Sequence, residues 1–274
     1  MRLLLTLHHL PKQTLPVNYQ YLIGAWIHRC LSKVGPKLDQ WLRHKGYNPK
    51  YRQYELFCYS SLQPRGYNLN PKNLSFTLAS HPTKVEISFH MDRDLESSMV
   101  KVFQKQKFYL KGGPYRVDFQ VAKVEVLPPP EWREQMSFRL MTPLCLRKTV
   151  ESKSYPQYLH PEDHDYEQIL TSSLWKKYQL ITYRGLQSEE INLSPNFPRK
   201  FELLSSYKYK RYRVKGIDTI GYLFDFRMEL PLSLMQLGYQ SGFGEKCSDL
   251  GMGMVQILPP PSAEHSEESP SPEN

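Results

Sequence analysis

Hydrophobic and polar residues in the first half of the chain follow two different periods. Alternation with a period of two predicts strands over residues 2–8, 54–60, 75–79, 84–90 and 115–126. Helical spacing of apolar residues follows Asn18, Pro36 and Asp92, and each of these residue types suits a helix start. The order of strand, helix, strands, helix and strand is the split βαβ pattern of a ferredoxin-like domain.

Each of the three predicted helices carries a stripe of apolar residues that would face a sheet. The stripes are Ile23, Ile27, Cys30 and Leu31 in the first helix, Leu38, Trp41 and Leu42 in the second, and Leu95, Met99, Val102 and Phe103 in the third. Gly35 and Gly46 are expected to end the first two helices. The third is expected to run to about residue 106.

The second half repeats this order of elements after a proline-rich break at residues 127–130. Strands are predicted over residues 136–147, 201–214, 222–229 and 254–258, and helices over residues 163–180 and 231–239. We therefore expect an α+β chain with tandem ferredoxin-like βαββαβ domains at residues 1–127 and 131–258. Residues 259–274 are rich in Pro, Ser and Glu, which predicts a disordered acidic tail.

The composition adds a preference for an anionic partner. Hydrophobic residues make up 40% of the 274 residues, enough for a core, and the formal charge is +9. Because several acidic residues lie in the tail, the rest of the chain is more basic than this total, which favours a polyanion such as a nucleic acid. The chain has neither an apolar run of 18 residues nor a signal-peptide pattern, so we expect a cytoplasmic protein that does not enter a membrane.

The cysteines of the chain do not form a metal-binding motif. The four cysteines lack the C-x-x-C spacing of zinc or redox sites, so we expect them to be buried thiols. His160 and His164 have H-x-x-x-H spacing, but they fall in a polar segment that looks like a loop and a helix start. We therefore expect no metal and no cofactor, and a metallo-nuclease is disfavoured.

The strongest local motif is a glycine-rich segment near the C-terminus. Two G-x-G pairs place Gly242, Gly244, Gly251 and Gly253 within 12 residues. Glycines allow positive φ angles, and successive backbone N–H groups in such a turn can bind an anion, with Lys246 adding a positive charge. A tight connection into the last strand would explain only one or two of these glycines. The spacing fits neither a dinucleotide-binding fingerprint nor a P-loop.

This segment resembles the glycine-rich loop of the CRISPR-associated repeat-processing endoribonucleases of the RAMP superfamily. In that family two G-x-G pairs, joined by a short spacer, precede a terminal strand. Residues 18–21, 36–38, 136–147 and 234–241 are similar to further segments of the family, so the resemblance covers most of residues 1–258. Six residues separate the two G-x-G pairs here, one more than the family pattern.

The resemblance implies tandem ferredoxin-like domains and metal-independent cleavage within CRISPR repeat RNA. A base would activate the 2′-hydroxyl beside the scissile phosphate, and the products would carry a 2′,3′-cyclic phosphate or 3′-phosphate and a 5′-hydroxyl. The implied partners are precursor and mature CRISPR RNA, with other effector subunits as a further option. We expect a monomer or a homodimer.

Histidine suits such a base because its ordinary pKa lies near neutrality. His44 falls late in the second predicted helix, about 120° from the apolar stripe, and the helix C-terminus would favour its protonated form. The family has a histidine close to this position, although Arg43 falls in that exact column. His28 falls where relatives carry an active-site tyrosine or histidine. We expect His44 as base and His28 as second base or acid; the phosphorane charge would be stabilised by Lys45 and Lys50.

A second basic segment interleaves cations with tyrosines at residues 207–215. In a strand, Tyr207, Tyr209, Arg211, Arg213 and Lys215 would share one face, and Lys208, Lys210 and Tyr212 the other. Arginine binds phosphates in a bidentate manner and tyrosine stacks on unpaired bases, so the segment favours RNA. A charged edge strand that resists aggregation is the simpler alternative. Arg147 and Lys148 would extend the basic surface.

Two other functions stay open at this stage. The same fold could hold repeat RNA within an effector complex with little or no cleavage, because the catalytic histidine is displaced from the family position. A different RNA-binding protein with tandem ferredoxin-like domains is the third possibility, and it would bind RNA without preference for the repeat.

Overall fold

The computed structural model describes residues 1–32, 56–79, 82–91, 95–149, 155–183, 196–214 and 216–259. The second predicted helix, the predicted cap Asp92 and the acidic tail after Pro259 lie outside these residues. His44, Lys45, Lys50 and Lys215 also lie outside them, so their roles stay predictions.

The N-terminal half is a ferredoxin-like sheet with one added edge strand. Its elements are β1 (Arg2–His9), β2 (Thr14–Pro16), α1 (Gln20–Leu31), β3 (Phe57–Tyr59), β4 (Gln63–Pro64), β5 (Tyr67–Asn70), β6 (Ser75–Leu78), β7 (Thr83–Phe89), α2 (Glu96–Phe103), β8 (Lys107–Gly112) and β9 (Tyr115–Leu127). The main sheet has the order β3-β7-β1-β9-β8, and its registers are antiparallel. The first four of these strands give the ferredoxin-like order, and β4 pairs with β7. A small sheet β2-β6-β5 lies beside them.

Strand β1 shows why this sheet has one buried face. Leu3, Leu5 and Leu7 alternate along the strand and are almost fully buried, as the period of two predicts. Helix α1 contributes Ile23 and Ile27 to the same core. The predicted apolar stripe of α1 is therefore confirmed.

Two predicted helix ends in this half are wrong. Asn18 does not cap α1, because the N-cap residue is Tyr19, which makes no side-chain capping bond. The Tyr19 hydroxyl is instead buried and accepts a hydrogen bond from the Leu62 N–H at 2.9 Å. Helix α2 ends at Phe103 rather than near residue 106, because Gln104 is extended and Lys105 has a φ of 57°. These residues turn the chain into β8, a strand that the sequence pattern did not predict.

The C-terminal half has a second sheet of the same topology. Its elements are β10 (Gln135–Leu140), β11 (Arg147–Lys148), β12 (Gln157–Tyr158), α3 (Tyr166–Tyr183), β13 (Lys200–Leu203), β14 (Lys208–Val214), β15 (Ile217–Leu223), β16 (Asp225–Glu229), α4 (Leu232–Ser241), α5 (Cys247–Leu250) and β17 (Val255–Ile257). The sheet order β13-β16-β10-β17 repeats the order of the first half. The predicted tandem ferredoxin-like fold is confirmed.

Three long strands predicted in this half are each divided. The strand predicted at residues 136–147 stops at Leu140, and Leu144 pairs with Tyr222 only through an isolated bridge. The strand predicted at 201–214 is two strands, β13 and β14, and β14 pairs only with β15. The strand predicted at 222–229 divides at Phe224, because β15 belongs to this hairpin and β16 belongs to the main sheet.

The two halves contact each other where β1 begins. The buried Arg2 guanidinium donates to the Val255 carbonyl at 2.9 Å and to the Tyr239 carbonyl at 3.2 Å, and it lies 3.8 Å from the centre of the Tyr239 ring. Glu86 lies 3.6 Å from the same guanidinium. One side chain of the first strand therefore joins helix α4 and strand β17 of the C-terminal half to the first sheet.

Among the helices within the described ranges, none has both the length and the apolar character needed to cross a membrane.

Candidate functional site

The glycine-rich segment forms a compact loop between α4 and β17, which we call the glycine loop (residues 242–253). All four glycines of its two G-x-G pairs have positive φ angles: 85° at Gly242, 80° at Gly244, 66° at Gly251 and 74° at Gly253. Such angles are costly for residues with a Cβ atom. The motif therefore specifies the backbone path of the loop, as its composition predicted.

Close packing gives these glycines a second reason to lack a side chain. A Cβ atom at Gly251 would lie 2.5 Å from the Tyr59 carbonyl oxygen, and one at Gly253 would overlap the Phe243 carbonyl. Several backbone N–H groups of the loop donate hydrogen bonds within the protein. Phe243 donates to the Gly253 carbonyl, Glu245 to the Cys145 carbonyl and Gly253 to the Pro143 carbonyl, each at 2.9 Å. These three donors do not form an anion nest. The loop is a packed part of the core with an exposed rim at Lys246 and Asp249.

The glycine loop is seated against the first helix of the N-terminal half. The Tyr59 hydroxyl lies 2.9 Å from the carbonyl oxygens of both Gln20 in α1 and Asp249 in the loop, and its hydrogen is shared between them. Burial raises the pKa of Tyr59 well above its ordinary value, so the hydroxyl stays protonated and can donate. A Cβ atom on Gly24 of α1 would lie 2.7 Å from the Asp249 carbonyl oxygen. The backbones of α1 and the loop are therefore in direct contact.

His28 lies on the face of α1 that meets this loop. It follows Gly24 by four residues, which places it one turn further along the same side of the helix. The ring is half-buried and its centre lies 5.3 Å from the Phe57 ring, in an edge-to-face arrangement. Phe57 precedes Tyr59 by two residues in β3, so both lie on one face of that strand. The structure thus brings His28 and the glycine loop, 214 residues apart at Gly242, to the same side of α1.

Three of the predicted RNA-binding cations outside residues 207–215 have carboxylate partners. Lys246 lies 3.1 Å from Asp249, and Lys148 lies 2.8 Å from Asp165. The half-buried Arg147 makes an ion pair with Glu245; burial acts against the charged form, but Glu245 outweighs it and the pKa of Arg147 is raised. Sequence reasoning missed these partners because they come from other elements of the fold.

The predicted basic strand is the outer strand of the β14–β15 hairpin, which we call the basic hairpin (residues 208–223). The side chains of Lys208, Lys210, Arg211 and Arg213 are exposed, together with half of the Tyr209 ring. Asp218 of the neighbouring strand lies 3.8 Å from Arg211 and 3.7 Å from Arg213. Both arginines remain exposed beside this carboxylate, so their guanidinium groups are accessible to a phosphate.

Tyr212 connects the basic hairpin to the glycine loop. Its side chain is less exposed than those of Lys208 and Lys210, because its ring packs on a cluster that contains Leu250 and Met252 of the loop. Burial raises the pKa of Tyr212 above its ordinary value. The same side chain that looked like a candidate for base stacking is therefore a structural contact.

The four cysteines are free buried thiols, as expected, and burial raises the pKa of Cys58 and of Cys145 to about 12.

A buried lysine contacts the start of the glycine loop. Lys177 of α3 is only 1% exposed, and its ammonium contacts the first residues of this loop. Sequence reasoning missed Lys177, because a lysine in the polar pattern of a helix carries no sign that it is buried.

Comparisons with known proteins agree on one family. Residues 127–257 match the family model described as "CRISPR associated protein Cas6, C-terminal". The chain is 26% identical over 254 residues to the CRISPR-associated endoribonuclease Cas6 of Pyrococcus furiosus, covering 92% of this chain and 87% of that relative. It is also 26% identical over 246 residues to CRISPR-associated endoribonuclease Cas6 1 of Methanocaldococcus jannaschii, covering 88% and 86%.

A solved structure supports the same fold. The structure of a Cas6-related protein from Pyrococcus furiosus superposes with a TM-score of 0.75 at 23% identity, covering 94% of this chain and 98% of that chain. The resemblance to the CRISPR-associated repeat-processing endoribonucleases is confirmed.

Proposed function

We propose that this chain, which carries a Cas6 C-terminal domain and resembles Cas6 endoribonucleases along most of its length, cleaves CRISPR repeat RNA to produce mature CRISPR RNA. The names of the two curated relatives support an endoribonuclease. The observation that carries the proposal for this chain is the seating of the glycine loop on α1, beside the face that presents His28. In this proposal the loop sets an RNA phosphate beside the His28 imidazole, a group that can act as acid or base.

The proposed reaction needs only the RNA and side chains of this protein. A base takes the proton of the 2′-hydroxyl, the 2′-oxygen bonds to the adjacent phosphorus, and the bond from phosphorus to the 5′-oxygen breaks. An acid gives a proton to that 5′-oxygen. We assign His44 and His28 to these two roles and propose that Lys45 and Lys50 stabilise the charge on the phosphorane.

RNA binding is proposed to use the glycine loop together with the basic hairpin. Tyr212 links these two surfaces, so one RNA strand can contact both. Arg211 and Arg213 are the exposed cations best suited to phosphates, because guanidinium groups bind them in a bidentate manner. Arg147 and Lys148 would have to exchange Glu245 and Asp165 for phosphate oxygens, and we expect their contribution to be smaller.

The same proposal gives the two halves different tasks. The unit at residues 1–127 supplies the histidines, and the unit at residues 131–258 supplies the glycine loop and the basic hairpin. Because the loop and α1 lie in different units, neither unit alone is expected to cleave RNA.

The test is incubation of the purified full chain in EDTA with RNA of a CRISPR repeat from the same genome. We expect one cleavage position within the repeat and no cleavage of a shuffled RNA of the same length. Tight repeat binding without cleavage would contradict the enzyme and favour a repeat-binding subunit. Equal affinity for the shuffled RNA would contradict recognition of the repeat.

A further inference from the structure

Lys177 is a buried cation whose partners are the first atoms of the glycine loop. Its side chain is 1% exposed, and its Nζ donates to the Gly242 carbonyl at 2.6 Å and to the Ser241 carbonyl at 3.4 Å. The Cys247 sulfur lies 3.5 Å from the same nitrogen. Within the described part of the chain, Lys177 has no ion pair with a carboxylate.

An ammonium in this place needs compensation, because removing a charge from water is costly unless strong partners replace the water. The compensation comes from the end of α4. Ser241 is the last residue of that helix and Gly242 is its C-cap, so their carbonyls are among those that lack partners within the helix. The negative end of the helix dipole adds to the attraction for a cation. An apolar side chain of the same length would fill the space but would leave both carbonyls unpaired.

These contacts define the conformation of the loop at its entry. The chain leaves α4 at Gly242 with φ 85° and ψ 147°, and five residues later it begins the short helix α5 at Cys247. Lys177 touches both positions, so one side chain closes the loop across its first turn. The fit is tight, since a Cβ atom on Gly242 would lie 2.8 Å from the Cys247 sulfur.

Helix α5 also contacts the N-terminal half, where Cys247 packs in one cluster with Cys58 of β3. Asp249 in α5 accepts the hydrogen bond from Tyr59 and approaches Gly24 of α1. His28 lies one turn beyond Gly24 on the same helix face. A movement of the loop away from α4 would therefore change the separation between the loop and His28.

We propose that Lys177 is a positioning residue for RNA cleavage: its buried ammonium holds the glycine loop at the height on α1 where a bound phosphate meets His28. This inference rests on the proposed function for its link to cleavage, although the effect on the loop itself does not. Lys177 does not contact RNA in this account. It acts through the carbonyls of Ser241 and Gly242.

The test compares Lys177→Met with Leu174→Ala in the full chain. Leu174 lies in the same helix, is fully buried and belongs to the main hydrophobic core, so its truncation lowers stability without removing the clamp. Thermal unfolding gives the melting temperature of each variant. Single-turnover cleavage at saturating RNA and RNA affinity by fluorescence anisotropy are then measured well below the melting temperatures of both variants.

We expect Lys177→Met to slow cleavage at saturating RNA about 10-fold or more, because two unpaired buried carbonyls shift the loop away from its competent position. Lys177→Arg, which keeps the charge and donors, should recover part of the rate. Leu174→Ala should change the rate less than about twofold at the same temperature. Equal small effects of the Met and Ala variants would overturn the proposal. If Lys177→Met does not fold, Lys177→Gln replaces it, since the amide carries no charge.

Hydrogen exchange of the Phe243, Glu245 and Gly253 amides separates this proposal from the proposed function. These amides donate hydrogen bonds to carbonyls inside the loop or beside it. Their exchange rates therefore measure how often the loop opens, and the measurement needs no RNA. Lys177→Met should speed their exchange about 10-fold or more, and Leu174→Ala should not do so beyond its effect on global stability. Unchanged exchange would refute the clamp even if the wild-type chain cleaves RNA. Faster exchange in a chain that never cleaves RNA would refute the proposed function alone.

Discussion

A methyl group added at Gly24 probes the contact between α1 and the glycine loop. In most helices a change from glycine to alanine stabilises the fold by about 0.5–1 kcal/mol, because alanine loses less backbone entropy. At Gly24 this gain is outweighed, because the protein leaves no space for the added methyl group. Its Cβ would lie 2.6 Å from the Tyr59 hydroxyl oxygen, 2.7 Å from the Asp249 carbonyl oxygen and 3.1 Å from the Ser248 carbonyl oxygen.

The size of the destabilisation depends on which atoms must move to relieve these contacts. Two of the three atoms belong to the loop backbone, so relief requires the loop to shift rather than a side chain to rotate. Overpacking of this kind costs about 1–3 kcal/mol, and a weakened Tyr59 hydrogen bond adds about 1 kcal/mol. After the helix gain is subtracted, Gly24→Ala should destabilise the chain by about 2 kcal/mol. That corresponds to a melting temperature lower by roughly 5 °C.

The assay is equilibrium unfolding in urea together with single-turnover RNA cleavage. Gly66→Ala is the control, because its Cβ would meet only the Ala79 Cβ at an ordinary 3.5 Å. We expect the control to stay within about 0.5 kcal/mol of wild type and to keep full cleavage activity. Gly24→Ala should lose both stability and cleavage. A Gly24→Ala protein as stable as wild type, or more stable, would refute the close contact between α1 and the loop.

Three further predictions concern charge and protons. His28→Ala and His44→Ala should each slow cleavage at least about 100-fold and change RNA affinity less than about threefold, since an acid or base acts in the transition state; comparable small losses in both rates would point to catalysis by charge alone. Asp218→Asn removes the carboxylate facing the two arginines of the basic hairpin, so RNA affinity at low salt should rise about two- to fivefold, and an unchanged affinity would place the RNA elsewhere. Burial lowers the pKa of His90 to about 4, below its ordinary 6.5, so the folded state disfavours protonation; stability should fall by at least about 1 kcal/mol as the pH drops from 6.5 to 4, and His90→Gln should flatten this part of the profile in urea unfolding.

The sequence predicted the repeated topology because each sheet uses ordinary alternation. Leu3, Leu5 and Leu7 illustrate this, since a strand with one buried face has a period of two regardless of its partners. The same rule could not divide residues 201–214. The pattern continues through Ser205 and Ser206, yet the strand before them pairs in the main sheet and the strand after them pairs in the basic hairpin. Pairing partners are long-range information that local periodicity does not contain.

The candidate site was predictable in its backbone and not in its contacts. The four loop glycines have the positive φ angles that their residue type allows. The seat of the loop depends on Tyr59, Gly24 and Lys177, which come from a strand and two helices far away in the sequence. Each of them looked ordinary in its own element: a strand tyrosine, a helix glycine and a helix lysine. The roles of Tyr59 and Gly24 arise only when the two halves pack together, and that of Lys177 arises when α3 packs beside the end of α4.

The central claim is that RNA is cut by attack of its own 2′-hydroxyl beside the glycine loop. The most direct measurement compares two repeat RNAs in EDTA, one with ribose throughout and one with a single 2′-deoxy nucleotide immediately upstream of the cut. We expect cleavage of the first RNA, leaving a 2′,3′-cyclic phosphate or a 3′-phosphate, and no cleavage of the second RNA at that position despite equal binding. Cleavage of the 2′-deoxy RNA at the same position would contradict it, because the attacking group would then have to come from water or from the protein.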